Sequence, residues 1–135
     1  MKNWIINKTL WLVAYGLFFP LTWWNKRAVR KVYGGTKGYD YKSAVNLDVF
    51  ANSEFKTLLN RKLLTPNSIH HFGHRKETIS SVLGKNSRDK TLSEKGEKLR
   101  KLVDKLDKSV PNHCEHFINK SIKYPDQNFD KFFKP

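Results

Sequence analysis

"TLWLVAYGLFFPLTWW", residues 9–24, runs sixteen positions without a charged side chain. Charge resumes on both sides, at Lys8 and in "NKRAVRK", residues 25–31. A helix that crosses a hydrocarbon core of about 30 Å needs roughly 20 apolar residues, so the uncharged run alone is short. It reaches that length when extended back through Ile6, Ile5 and Trp4, with Lys8 snorkelling to the interface on its aliphatic stem. Trp4 at one end and Trp23 and Trp24 at the other match the aromatic belts of a bilayer, and Trp11, Phe18 and Phe19 lie between them. Pro20 predicts a kink without forbidding the helix.

Three readings of this segment compete. A cleaved leader needs small residues at its cleavage site, and "FFPLTWWNKR", residues 18–27, has none. A buried core helix is the blander choice, but aromatics on every face need a larger body to cover them. Membrane insertion, spanning or lying in the interface, is favoured. If the helix spans, Lys26, Arg27, Arg30 and Lys31 outweigh Lys2 and Lys8, and positive flanks stay cytoplasmic. That basic flank also suits an anionic membrane surface.

Composition agrees. The 135 residues allow one small domain plus an anchor. Lys and Arg number 26 against 12 Asp and Glu, a net charge of +14 that predicts attraction to a polyanion, either lipid or nucleic acid. A single cysteine, Cys114, excludes an internal disulfide and points to a reducing compartment.

Outward from the anchor, "VYGGTKGYD" reads as a linker, with three glycines in the five positions 34–38. The expected organisation is an anchor with basic flank over 1–31, a Gly-rich linker over 32–40, a helical domain over 41–122 and an irregular tail over 123–135 carrying Phe129, Phe132 and Phe133. The fold class is all-α: an N-terminal apolar, membrane-type helix followed by a compact bundle of about four helices. Apolar positions 44, 45, 47, 49, 50, 55, 58 and 59 predict one helix from Tyr41 that Pro66 closes. Residues 65–76 predict a loop, and Thr78–Leu83 a short helix ended by Gly84 as a left-handed cap. Thr91–Glu94, "TLSE", matches a capping box. The helix behind it should run to about Lys108, with Leu92, Leu99, Leu102, Val103 and Leu106 on its core stripe. Glu94–Lys98, Glu97–Lys101 and Asp104–Lys108 are expected as pairs on its wet face. Pro111 should open a last helix reaching Ile122, with His113, Phe117 and Ser121 on one line and Cys114, Ile118 and Ile122 on the next, both facing the body.

Chemistry-bearing residues gather in two places. His70, His71 and His74 occupy the loop, and His113 and His116 flank Cys114. A zinc site from His71, His74, Cys114 and His113 or His116 is conceivable, but the spacing matches no familiar finger pattern. A Cys114 nucleophile with a histidine base stands against the commoner fate of a free cysteine, burial. Glu77, beside Thr78, Ser80 and Ser81, suits the first turn of its helix through the helix dipole. With Asp40 and Asp48 read as remote, no carboxylate pair for acid and base work emerges. No phosphate-binding glycine loop, nucleophile elbow or cofactor motif is present. Nucleic-acid motifs are missing too, and the charge predicts only non-specific binding at low salt.

"ETISSVLGKN", residues 77–86, followed some thirty residues later by His113-Cys114, resembles a family of small proteins of tailed bacteriophages and prophages. The matching positions are Glu77, Thr78, Ile79, Ser80, Ser81, Gly84, Lys85, His113 and Cys114, and "FANSEFKTLLNRKL", residues 50–63, resembles the helix before the motif. The likeness covers roughly residues 36–122. It departs from the family upstream of Glu77, where an acidic turn is replaced by "HRK". The resemblance implies a compact helical unit of phage origin and transfers no activity. Taken with the apolar segment and its basic flank, a phage origin makes the host inner membrane the expected location, with the domain cytoplasmic, and a host or phage protein the expected partner. A soluble nucleic-acid-binding accessory protein in the host cytoplasm is the alternative. A small enzyme or metal site built on His113, Cys114, Glu77 and Ser80 is the third reading.

Overall fold

The computed structural model describes residues 2–122 and divides the chain into two compact units, Met1–Ser43 and Ala44–Pro135. The tail phenylalanines Phe129, Phe132 and Phe133 lie outside the described residues.

The first unit is dominated by α1, Lys2–Tyr33, a helix of 32 residues and therefore roughly 48 Å long at 1.5 Å per residue. It is long and apolar enough to cross a membrane. Its helical assignment continues through Pro20. Thr9 and Thr22 turn their hydroxyls back onto the Ile5 and Phe18 carbonyls, at 2.9 and 2.7 Å, so neither presents an unsatisfied donor to its surroundings. Lys8 Nζ sits 4.3 Å from the centre of the Trp4 ring and the Arg27 guanidinium 3.8 Å from that of Trp23. Both cations thus ride on an aromatic face at the two ends of the apolar run. Six of the nine residues of the linker expected over 32–40 are helical. Only residues 34–36 separate α1 from α2, Lys37–Glu54, with Gly34 at φ +73° making the turn. Asp40 in the first turn of α2 pairs with Lys26 at 2.8 Å.

The second unit contains most of α2, then α3 (Lys56–Leu63), α4 (Ile79–Arg88), α5 (Glu94–Leu106) and α6 (His113–His116). Among the described residues it is all helical apart from loops and a single antiparallel bridge between Leu64 and Leu92. The apolar N-terminal helix followed by a helical bundle is therefore the observed architecture. Its centre is α4, which packs against both α5 and α6. Val82 and Leu83 are fully buried there, with Leu63, Phe72, Leu92 and Cys114 around them, and Leu59, Leu64, Ile79, Leu99 and Val103 closing the rim.

Several boundaries differ from the sequence-based expectation. The single helix expected from Tyr41 is two, because the chain breaks step at Phe55. Gly84 does not cap α4 but lies inside it, at the contact with α6. A Cβ there would stand 2.1 Å from the Cys114 carbonyl oxygen, so only glycine lets the two backbones meet. Gly96 serves α5 in the same way, with the Leu63 carbonyl oxygen 2.3 Å from where its Cβ would be. Ser93, not Thr91, is the N-cap of α5, accepting from Gly96 N at 3.1 Å. The last helix is one turn rather than reaching Ile122. It starts after Asn112, held at φ +51°, and Phe117 and Ser121 are exposed while Cys114 faces the body. On α5, Leu99 and Val103 join the core as expected, whereas Leu102 and Leu106 are 52 % and 76 % exposed. Gly96 directs the packed face, and those two leucines fall off it.

Candidate functional site

The interior of the second unit is as polar as it is apolar. Asn52, Lys56, Ser68, Glu77, Ser80, Ser81, Lys85 and Asn86 are all buried. Burial without partners would cost each of them heavily, so their partners define the arrangement.

Three asparagines fasten the histidine loop. Asn52 on α2 donates to the His74 and Glu77 carbonyls at 3.1 and 2.7 Å and accepts from Gly73 N. Asn60 on α3 exchanges two hydrogen bonds with the backbone of Phe72. Asn86 on α4 donates to the His70 and Val82 carbonyls, while its oxygen accepts from the Ser68 and Thr91 hydroxyls. An amide side chain matches a peptide group donor for donor, and these three act as an extra backbone strand for a loop that has none. The histidines themselves turn to local partners. His70 faces Asp89 at 3.1 Å, His71 meets the Ser68 carbonyl at 2.9 Å, and His74 Nδ1 accepts from Lys76 N.

The second cluster surrounds the start of α4. Thr78 caps the helix by accepting from Ser81 N. Glu77 therefore lies just outside the helix, not in its first turn, and is buried. Its carboxylate accepts from Ser81 Oγ at 2.6 Å and from Lys85 Nζ at 2.5 Å. Lys85 also donates to the Ile122 carbonyl, and Ser81 Oγ accepts from Asn119 N. The chain after α6 is thus tied to α4 by a buried ion pair and a hydroxyl. Asp48, read from the sequence as remote, reaches this end of α4. It accepts from Ile79 N at 3.0 Å and lies 3.4 Å from Ser80 Oγ. Burial raises its carboxyl above the ordinary value of 3.8, against the hydrogen bonds from Ile79 and Ser80 that pull it down.

Cys114 is fully buried against Gly84. Burial first, and the negative charge and hydrogen bond of Asp104 second, push its thiol up to about 12. Its Sγ also lies 4.0 Å from the Arg100 carbonyl. A thiol held protonated in this way fills space and is not an activated nucleophile. His113 turns to Asp107, with Nδ1 2.7 Å from Oδ2 but out of line for a directed hydrogen bond, and lies against the Phe117 ring. Among the described residues no group of three or more His, Cys, Asp or Glu is placed to hold a metal, so His71, His74, His113 and Cys114 do not converge. Arg100 takes the acids that had been paired with lysines. It binds Glu97 through two nitrogens, at 3.0 and 3.1 Å, and Asp104 at 2.6 Å, while Asp104 also accepts from Cys114 N. Only Glu94–Lys98 forms as expected, at 2.5 Å.

Of the candidate residues, the structure joins Glu77, Ser81 and Lys85, and Ser80 with Asp48. The negative charge of Asp48 also reaches the Cys114 thiol and helps to raise it. Comparison of the chain with protein-family models, with curated protein sequences and with solved structures finds no match.

Proposed function

We propose that this is a membrane-anchored binding protein of phage or prophage origin, in which α1 crosses the host inner membrane and the second unit engages a host or phage protein on the cytoplasmic side. The observation that carries the reading is the surface of α1. Trp4, Trp11, Phe18, Phe19, Trp23 and Trp24 are between 44 % and 76 % exposed, and none of its apolar window is buried. Water is a poor solvent for such a surface, whereas a bilayer core satisfies it together with a helix whose backbone bonds are internal. Lys26, Arg27, Arg30 and Lys31 then lie where anionic headgroups reward each cation by on the order of 1 kcal/mol. The phage origin rests on the likeness around Glu77–Asn86 and His113-Cys114. The second unit supports binding rather than catalysis in that its buried polar groups are engaged with each other and with backbone.

The alternative, a soluble accessory protein on nucleic acid, draws on the same net charge of +14. It leaves the aromatic surface of α1 without a solvent, which ranks it second. Fractionation decides. The full-length protein is expected in the membrane pellet through an alkaline carbonate wash and to be released by detergent, while a chain lacking residues 1–31 stays in the supernatant. Full-length protein that is soluble and monodisperse would overturn the anchor.

A further inference from the structure

One face of α5 is left exposed among the described residues. Around the helix, Leu99, Val103 and Gly96 turn inward, and the opposite arc presents Lys95, Lys98, Lys101, Leu102, Lys105 and Leu106. Glu94, paired with Lys98, is the most exposed carboxylate of α5, and Glu97, its side chain 37 % exposed, is held by Arg100. Among the described residues Lys95, Lys101 and Lys105 have no carboxylate partner, because Arg100 takes both Glu97 and Asp104. Leu102 and Leu106 are one helical turn apart and stand out from this basic field.

We infer that the Lys95–Leu106 face of α5 is a docking surface for the anionic phospholipid bilayer, with Leu102 and Leu106 entering the headgroup boundary and the lysines holding phosphates around them. The observation behind it is the composition of the face. A helix that lies in a bilayer interface combines lysines with a few protruding aliphatic side chains, and its attraction grows with both anionic charge and buried apolar area. Nucleic acid shares the phosphate chemistry but has no use for two exposed leucines on a face without an aromatic ring. For its proximity to a membrane the inference rests on the anchored reading of α1, though the face would seek the same surface from solution.

One reconstitution tests both and keeps them apart. All four tryptophans lie in α1, so tryptophan quenching by nitroxide-labelled lipid reports on that helix alone. A fluorophore placed by Leu106→Cys reports on α5, because the native thiol is buried and does not compete. The full chain is placed in phosphatidylcholine vesicles with and without phosphatidylglycerol. The expected result is tryptophan quenching in both, with the Leu106→Cys label blue-shifted and several-fold more quenched in the anionic vesicles. Lys98→Glu, Lys101→Glu and Lys105→Glu together should abolish the label's response and leave tryptophan quenching unchanged. Quenched tryptophans with an unresponsive label would overturn the docking surface and spare the anchor. Unquenched tryptophans with a label that still responds to anionic vesicles would end the anchor and keep the docking surface; no response from either ends both. A label that responds to duplex DNA at equal phosphate, and not to anionic vesicles, would assign the face to nucleic acid instead.

Discussion

At the scale of single residues, the second unit is held by charges and amides that a small core could not easily tolerate unpaired. Glu77 and Lys85 have side chains 3 % and 5 % exposed, and their ion pair, beside the Ser81 hydroxyl and the Ile122 carbonyl, compensates for lost hydration. Breaking such a pair leaves one buried charge alone, a loss of about 3–5 kcal/mol, whereas replacing both partners by groups of similar shape is often close to neutral. Glu77→Gln is therefore expected to lower stability in detergent by that amount, and Glu77→Gln with Lys85→Met to recover most of it. Equal losses in the single and double variants, measured by urea unfolding followed by circular dichroism, would show that the pair is incidental. Asp48 makes the opposite case, a carboxylate whose ionisation the fold resists. Because burial raises its folded pKa above 3.8, its contribution is fully present below that value and is lost as pH rises through the folded pKa. Asp48→Asn keeps an acceptor for Ile79 N and has no charge to desolvate. The variant should match the parent below pH 3.8, exceed it in stability at pH 7, and show the smaller difference in urea midpoint between the two.

Among the elements, α5 shows where a local pattern gave way to a tertiary one. A capping box at Thr91–Glu94 requires Glu94 to reach back to the Thr91 backbone. In the structure Thr91 Oγ donates to Asn86, and Ser93 Oγ both donates to the Lys62 carbonyl and accepts from Gly96 N. The cap is thus the residue that also docks the helix on α3. Ser93→Ala should cost about 1 kcal/mol, the usual loss for an N-cap, and Glu94→Ala less than about 0.5 kcal/mol because that side chain is exposed. A larger loss at Glu94 than at Ser93 would restore the capping box. The same contrast explains what was legible. The helices were, since apolar spacing around Leu59, Val82 and Leu99 is a local property. The roles of Gly84 and Gly96 were not, because each exists for a carbonyl far away in sequence, at Cys114 and Leu63. The asparagines left one usable signal. Asn52, Asn60 and Asn86 sit inside helices, where asparagine is a poor former, and such a residue in such a place asks what it binds off the helix. Asp48 and Arg100 gave no comparable warning, since solvated helical charges look the same in sequence.

For the whole molecule, the anchored reading we propose predicts an orientation from the asymmetry of charge about α1. Four cations, Lys26, Arg27, Arg30 and Lys31, follow the apolar run, against Lys2 and Lys8 before it. The Lys26–Asp40 pair does not cancel this bias, because orientation follows the placement of Lys and Arg and acidic residues contribute little. A tag at the C-terminus should accordingly be digested by protease in inside-out inner-membrane vesicles and protected in sealed right-side-out ones. Replacing Lys26, Arg27, Arg30 and Lys31 by glutamine leaves Lys37 and Lys42 against the two N-terminal lysines, so the bias is lost and a share of the tag should then become protected in the inside-out vesicles. Inserted parent protein with its tag protected there would reverse the topology and expose Cys114 to an oxidising compartment. Burial and a thiol pushed up to about 12 would shield that cysteine even so. Orientation must therefore be read from the tag and not from the redox state of the thiol.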